Sequence, residues 1–357
     1  MGTKDDEVSS TGIVDPNGAG VGLTIGITTY ERPEGLARAL ESIFSQRLDG
    51  DHRVEVIVVD DGSKSEKFHD YWDLLSNREV DCRFSLIMLR NPVQSGGPSA
   101  GRNLVIDKAT SDYILFMDDD DRLAEDSLGP LCDYLLQSDA QRISLRYRRG
   151  SRSSYLRPDV RHERLDIVES LWTMLPGSVY RTADVRHSGS RFPEGVHYGE
   201  DSEFVLHFST RSENFAALCD RDYIIMGDPL PGESGHLSQG RGSWEDFLRN
   251  LLAHIGRFSR IIEASSLPLY VRDQLAIKAL VHRPVLSYQI IRRISDHGDD
   301  DFATELLTEY SMVIKQRLPR GIILRESEKL GIRPEMTCVL DVDLKNLRKI
   351  RQEKGDQ

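Results

Sequence analysis

Tyr113-Ile114-Leu115-Phe116-Met117-Asp118-Asp119-Asp120-Asp121 is an apolar run that ends in four consecutive carboxylates. An uninterrupted apolar run of this length reads as a strand covered on both faces. Four like charges at a strand end repel one another. Such a cluster survives in a folded chain when something positive sits among them, commonly a hard divalent cation held by oxygen. A second apolar run, Val54-Glu55-Val56-Ile57-Val58-Val59, ends in Asp60 and Asp61. Two acidic strand ends in one domain point to a site at the carboxyl edge of an α/β sheet. The competing reading is a solvated acidic loop, because runs of like charge are often plain surface.

Working outward, Leu23-Thr24-Ile25-Gly26-Ile27-Thr28 reads as the first strand. Arg32-Pro33 then opens a helix whose Leu36, Leu40, Ile43 and Phe44 fall on one stripe. Residues 84–89 form a third strand candidate. The turn Ser95-Gly96-Gly97-Pro98 precedes a helix that holds Arg102, Asn103, Leu104 and Ile106. This alternation up to residue 117 predicts a parallel sheet with right-handed crossovers. Residues 142–165, crowded with arginine, read as strands or loops. A strand is expected between Trp172 and Tyr180. Gly195 to Asp201 reads as a polar turn leading into a helix that carries Phe204, Val205, Leu206 and Phe208.

The chain has 357 residues and a formal charge of −12. Residues 1–240 carry 26 basic and 41 acidic side chains, and residues 241–357 carry 20 and 17. A nucleic-acid backbone is not an expected partner for so acidic a surface. Cys82, Cys132, Cys219 and Cys338 form no metal-binding pattern and read as free buried thiols in a reducing compartment. No run approaches the roughly 20 apolar residues of a transmembrane helix, so the expected location is the cytoplasm, with a peripheral membrane location as the other option. Residues 1–21 read as a flexible tail, 22–242 as the α/β domain, and 243–357 as a helical region. In that last region Leu251, Ile255, Phe258 and Ile262 keep helical spacing, as do Leu306, Tyr310 and Val313. Its expected task is an acceptor platform or a homo-oligomer interface.

Five segments together resemble family-two glycosyltransferases of the GT-A fold, in particular bacterial cell-wall and capsular polysaccharide transferases. They are Thr28-Thr29-Tyr30 with Arg32-Pro33; Val58-Val59-Asp60-Asp61-Gly62-Ser63; Gly96-Gly97 to Arg102-Asn103; Asp118 to Asp121; and Gly199-Glu200-Asp201. The resemblance spans roughly residues 22–240. It implies an α/β, Rossmann-like, mostly parallel central sheet, a nucleotide-diphosphate sugar donor, commonly a UDP-sugar, and Mg²⁺ or Mn²⁺ as cofactor. Residue by residue, it implies Thr28 and Tyr30 at the nucleobase, Asp61 on the uracil ring nitrogen, and Arg102 near the phosphates or base. Arg32, Gly96 and Asp118 join the nucleotide-sugar side, and Asp119 faces the ribose or sugar. Asp120 ligates the metal and Asp201 is the base of an inverting single displacement, with Glu200 ranked second. The four consecutive acids depart from the family in one respect: position 119 is often a small residue such as serine.

Several alternatives stand beside these implications. Asp121 either points to solvent or caps a helix starting near Leu123. Glu200-Asp201 could simply cap the following helix. His236 is a candidate for the diphosphate or the metal, or a solvated histidine. His197 is a candidate for the acceptor side. The arginines at 146, 148, 149, 152 and 157, Arg148 among them, either meet an anionic acceptor or balance the acidic site from a solvated loop. The expected reaction moves a hexose or N-acetylhexosamine to a hydroxyl of a cell-wall or capsular glycopolymer. A small secondary metabolite or a protein side chain is an alternative acceptor. Other classes are a nucleotidyltransferase, although the first-strand turn lacks the lysine such enzymes use, and a metal-binding module without catalysis.

Overall fold

Val54, Val56, Ile57, Val58 and Val59 are all buried. An isolated hairpin cannot bury such a run, and only helices on both faces of a sheet cover it. The computed structural model describes residues 8–9, 20–64, 81–150, 152–153, 162–171, 175–196, 199–227 and 244–277. In chain order the first half holds β1 (Val8–Ser9), β2 (Gly22–Thr29), α1 (Pro33–Phe44), β3 (Arg53–Asp60), β4 (Phe84–Arg90), α2 (Ser99–Lys108) and β5 (Tyr113–Asp118). Next come β6 (Arg122–Leu123), α3 (Leu128–Gln137), β7 (Arg142–Leu145), β8 (Tyr147–Arg149), β9 (Arg152–Ser153), β10 (His162–Leu165) and α4 (Ile167–Ser170). The first unit closes with β11 (Ser178–Arg181), α5 (Thr182–His187), α6 (Glu200–Ser209), β12 (Phe215–Leu218) and β13 (Ile224–Met226).

The large sheet has nine strands in the order β1-β4-β3-β2-β5-β11-β7-β12-β10. Its nucleus, β4-β3-β2-β5, is parallel throughout. Beyond β5 the pairing is mixed: β11 runs antiparallel to both β5 and β7, while β12 is parallel to β7. The strand order reverses at β2, and the crevice between β2 and β5 is the topological switch point where α/β sheets take ligands. In α1, Leu36, Ala39, Leu40 and Ile43 are buried on one face of the sheet. Val105 and Ile106 of α2 belong to the cluster on the other. Each large aliphatic side chain so buried contributes about 1.5–3 kcal/mol.

A small second sheet, β6-β13-β8-β9, stands beside the end of β5. It corrects one expectation. No helix starts near Leu123: Arg122 and Leu123 pair antiparallel with Ile225 and Ile224, and the helix begins only at Leu128. Cys82 is another correction, since it is exposed whereas Cys132 and Cys219 are buried. The segment around Asp81 to Arg83 is a surface turn in which Arg83 pairs with Asp81 and also donates to the Leu48 carbonyl.

An aromatic cluster fixes α6 against the acidic strand. Phe116 lies two residues before Asp118, and its ring centroid is 5.8 Å from that of Phe204, one turn into α6. Phe204 stacks on Phe192 at 4.0 Å, and Tyr180 of β11 meets Phe204 and Phe208 edge-on at 5.3 Å. Rings in such geometry add to the plain burial of their area. The first turn of α6 is thereby carried to the carboxyl end of β5.

The chain divides into two compact units, Met1–His236 and Leu237–Gln357. In the second, α7 (Trp244–Ala264) and α8 (Leu269–Ala276) are described. Ile255, Phe258 and Ile262 of α7 are buried, as their spacing predicts. Leu306, Tyr310 and Val313 lie outside the described residues. Among the described residues no helix is long and apolar enough to cross a membrane.

Candidate active site

The parallel register brings three strand ends level. Thr28 is paired with Asp118 across β2 and β5, and Thr29 with Asp60 across β2 and β3. Asp60 is fully buried; the Ser63 amide reaches both its oxygens at 3.2 and 3.3 Å, and Arg90 Nε lies 3.3 Å away. Burial pushes its pKa up, against the pull of Ser63 and Arg90. Asp61 has different partners. Its carboxylate accepts from Asn91 Nδ2 at 2.8 Å and from the Ser95 amide at 3.1 Å, so the β3 and β4 ends are tied together beneath the Gly96 turn. Gly96 itself has a positive φ. Thr28 is buried, whereas Tyr30 is half-buried.

The four aspartates divide among three principal partners, Arg102, Arg32 and the Gly227 amide. Asp118 pairs with Arg102 Nη2 at 2.8 Å. Asp119 accepts from Thr29 Oγ1 at 2.8 Å and from Arg32 Nη1 at 3.0 Å. Burial lifts the Asp119 pKa to about 7 in spite of the Arg32 guanidinium and the Thr29 hydroxyl, both of which favour its charge. Arg32 Nη1 also lies 3.3 Å from Asp120 Oδ2. Asp121 is buried and neither meets solvent nor caps a helix, which corrects both expectations for it. Its Oδ1 accepts from the Gly227 amide at 3.0 Å, while Oδ2 has no hydrogen-bond partner among the described residues. Burial and the charges of Asp118 and Asp120 push its pKa well up. Gly227 is required here: a Cβ at that position would overlap the Asp120 carbonyl.

An orphaned buried carboxylate oxygen beside Asp120 is the donor chemistry of a hard cation. The donor chemistry of the residues present therefore fits Mg²⁺ or Mn²⁺, which Asp120 and Asp121 would hold. Among the described residues no three His, Cys, Asp or Glu side chains gather into a metal cage. Such a site needs further oxygens from a ligand, as Mg²⁺ sites built around phosphates do. His236 and His197 lie outside the described residues.

Arg102 joins the strand end to α6. Its Nη2 holds Asp118 and its Nη1 donates to Glu200 Oε1 at 3.1 Å, while the guanidinium lies 5.4 Å from the centroid of the Phe192 ring. Burial opposes its charge, yet Asp118, Glu200 and Asp201 hold its pKa above the ordinary value. Helix α6 starts from Gly199, which adopts a left-handed φ of 76° that a residue with a side chain reaches only at a cost. Neither Glu200 nor Asp201 caps the helix; they occupy its first turn. Asp201 Oδ1 accepts from the Ser202 amide at 2.7 Å and the Ser202 hydroxyl at 3.0 Å. One oxygen is thus held, and the other has no hydrogen bond among the described residues.

Glu200 is pushed up to about 6, first by burial and then by Asp201, with Arg102 pulling the other way. The folded chain therefore keeps this proton to a higher pH than the unfolded chain. Its contribution to stability is present in full below about pH 4.5 and is lost as pH rises through about 6, up to about 2 kcal/mol. Glu200→Gln should flatten the fall in unfolding free energy between pH 4.5 and 6, read from urea melts. An unchanged slope would contradict the buried assignment.

Arg148 sits on β8 of the small sheet, partly exposed, with Nε 3.6 Å from Asp222; Arg146 is 2.9 Å from the same carboxylate. The arginine cluster is therefore partly offset where it is described, and Arg157 lies outside the described residues. Sequence reading missed Arg90, Asn91, Ser95 and Gly227. All but Gly227 lie at or after the end of β4, and the carboxyl-edge rule applied to that strand would have found them. Nothing in the local sequence marks Gly227 as the partner of Asp121.

Residues 24–191 match the model of Glycosyl transferase family 2. The chain carries a family-two glycosyltransferase domain. Among curated proteins, it is 24% identical over 225 residues to the poly(ribitol-phosphate) beta-N-acetylglucosaminyltransferase TarS of Staphylococcus aureus, a match covering 62% of this chain and 38% of that protein. It is 26% identical over 214 residues to a poly(ribitol-phosphate) beta-glucosyltransferase of Bacillus spizizenii, covering 57% of this chain and 32% of that one. The chain thus spans about a third of the length of these relatives. Among solved structures, S. aureus TarS residues 1–349 in complex with UDP-GlcNAc superpose with a TM-score of 0.73 at 19% identity, covering 94% of this chain and 92% of that one. A mannosyltransferase from Pyrobaculum calidifontis in complex with GDP-Man and Mn²⁺ superposes with a TM-score of 0.52 at 15% identity, covering 95% of this chain and 87% of that one. The family-two domain has the GT-A fold, with Asp118 to Asp121 and Glu200-Asp201 at the carboxyl edge of its parallel nucleus.

Proposed function

We propose that this chain is a metal-dependent, inverting glycosyltransferase that moves a hexose or N-acetylhexosamine from a UDP-sugar to a hydroxyl of a cell-wall glycopolymer. The observation that carries the reading is Arg102, which bonds Asp118 with one arm and Glu200 with the other. That bridge ties the strand-end acids to the first turn of α6, where Asp201 follows Glu200, and so supports a donor site and a base that share one crevice. The UDP-GlcNAc bound by TarS supports a UDP-sugar donor, and the relatives' poly(ribitol-phosphate) substrates support a polyol-phosphate acceptor.

In this reading Asp61 accepts from the uracil ring, the Thr28–Tyr30 turn lines the base, and Arg32 and Arg102 face the diphosphate side. Mg²⁺ or Mn²⁺, when bound at Asp120, offsets the charge that develops on the leaving diphosphate. Ser202 holds one oxygen of Asp201 while the other takes the proton of the attacking hydroxyl. The hydroxyl oxygen attacks the anomeric carbon opposite the diphosphate, and the configuration inverts. Asp201 serves as base because its second oxygen is available; Glu200 is engaged by Arg102.

The test is a panel of UDP-sugars scored for metal-dependent hydrolysis, which needs no acceptor. One UDP-sugar should be cleaved faster than the rest, with loss of cleavage in chelator. Binding of UDP that ignores metal would count against the role given to Asp120.

A further inference from the structure

We propose that Arg32 is a resident cation that keeps bare metal out of the acidic strand end, so that metal enters only together with a diphosphate. This rests on the donor reading above. Arg32 Nη1 lies 3.0 Å from Asp119 Oδ1 and 3.3 Å from Asp120 Oδ2, bridging the two carboxylates. All three side chains are largely buried, so the guanidinium and a divalent ion on Asp120 repel each other with little screening. A bare ion brings no anion to receive the displaced guanidinium. A metal–diphosphate complex does, because its phosphate oxygens offer bidentate partners for an arginine.

Asp119 gives this arrangement its strength. Its carboxylate is fixed by Thr29 Oγ1 at 2.8 Å while its other oxygen meets Arg32. The backbone is pinned as well. Glu31 is a non-glycine residue at φ 58°, its amide donates to Ser63 Oγ at 2.9 Å, and its carboxylate accepts from the Lys64 amide at 2.5 Å. Pro33 follows Arg32 and disfavours a helical conformation for it; Arg32 indeed has φ −131° and ψ 59°. With the main chain held on both sides, withdrawal of the Arg32 guanidinium from Asp120 takes a side-chain rotamer change and no loop movement.

The experiment is calorimetry on the full chain with Mn²⁺ alone, UDP alone, and Mn²⁺ in saturating UDP. Wild-type protein should bind Mn²⁺ at least about tenfold more tightly when UDP is present, a coupling of ordinary size. Arg32→Gln should bind Mn²⁺ alone at least about tenfold more tightly than wild type, and the enhancement by UDP should shrink to match. If wild type binds Mn²⁺ with UDP but Arg32→Gln leaves the affinity for Mn²⁺ alone unchanged, the gate is wrong and the donor reading stands. If wild type binds neither ligand in any combination, the donor reading fails and the gate with it. Should Arg32→Gln not fold by circular dichroism, Arg32→Lys takes its place. It keeps the charge but lacks the fork that spans both carboxylates; it should shift Mn²⁺ affinity in the same direction, and no shift overturns the proposal.

Discussion

Asp201→Asn should lower turnover by roughly 10²–10⁴-fold while leaving UDP binding almost unchanged, the range that general-base catalysis supplies. The amide keeps the shape of the carboxylate and can still accept from the Ser202 amide and hydroxyl, so the start of α6 is not disturbed. What it loses is the oxygen that receives a proton. The measurement is acceptor glycosylation at saturating donor, with calorimetry of UDP and metal as the control for site integrity. Full activity in Asp201→Asn would remove the base assignment. The next candidate is then Glu200, whose raised pKa makes its carboxylate the more basic of the pair, although its bond to Arg102 must be released before it takes a proton.

Asp120→Ala should act earlier in the cycle. Metal-dependent UDP affinity and turnover should both fall by at least about 100-fold, the upper end of what loss of a mere outer-shell partner costs a metal site. UDP binding in chelator should be unchanged, because the contacts proposed for the nucleobase come from Asp61 and the Thr28–Tyr30 turn. The fold should survive the change, since Arg32 keeps its bond to Asp119 and the Gly227 amide keeps its bond to Asp121. Titrating UDP with and without Mn²⁺ into both proteins reads the effect directly. Equal metal dependence in the two would place the cation elsewhere.

The parallel nucleus was legible because its information is local. A run such as Val54 to Val59 has one way to be covered, and an acid after it marks the strand's end wherever the strand is placed. The same holds for Leu36, Leu40 and Ile43 in α1, whose spacing names their face. In the mixed extension, β11, β7, β12 and β10, only a strand near β11 was expected, and the order and pairing of the four were not legible. Its strands are four residues each, too short to carry a period, and their neighbours are chosen by pairings between residues as far apart as Arg142 and Phe215. The supposed helix after Asp121 failed for the same reason: Arg122 and Leu123 take their conformation from Ile224 and Ile225, about a hundred residues later.

The sequence by itself marked the acids at the ends of β3 and β5 and the turn after β2 as one sheet edge, while Arg102 and the Glu200-Asp201 pair entered through the family resemblance. The strand ends were readable because they are set by chain-local sterics and hydrophobic period. Only the tertiary structure decided how those charges are shared. Four consecutive aspartates look alike in a row, yet one meets Arg102, two share Arg32, and the last is buried against the Gly227 amide. Successive residues past a strand end point in different directions, and each direction meets a partner from a distant part of the chain. Charge neutralisation acts over a few ångströms of space and is blind to separation along the chain, so which carboxylate is held, buried or left to bind a cation is settled only when the fold closes.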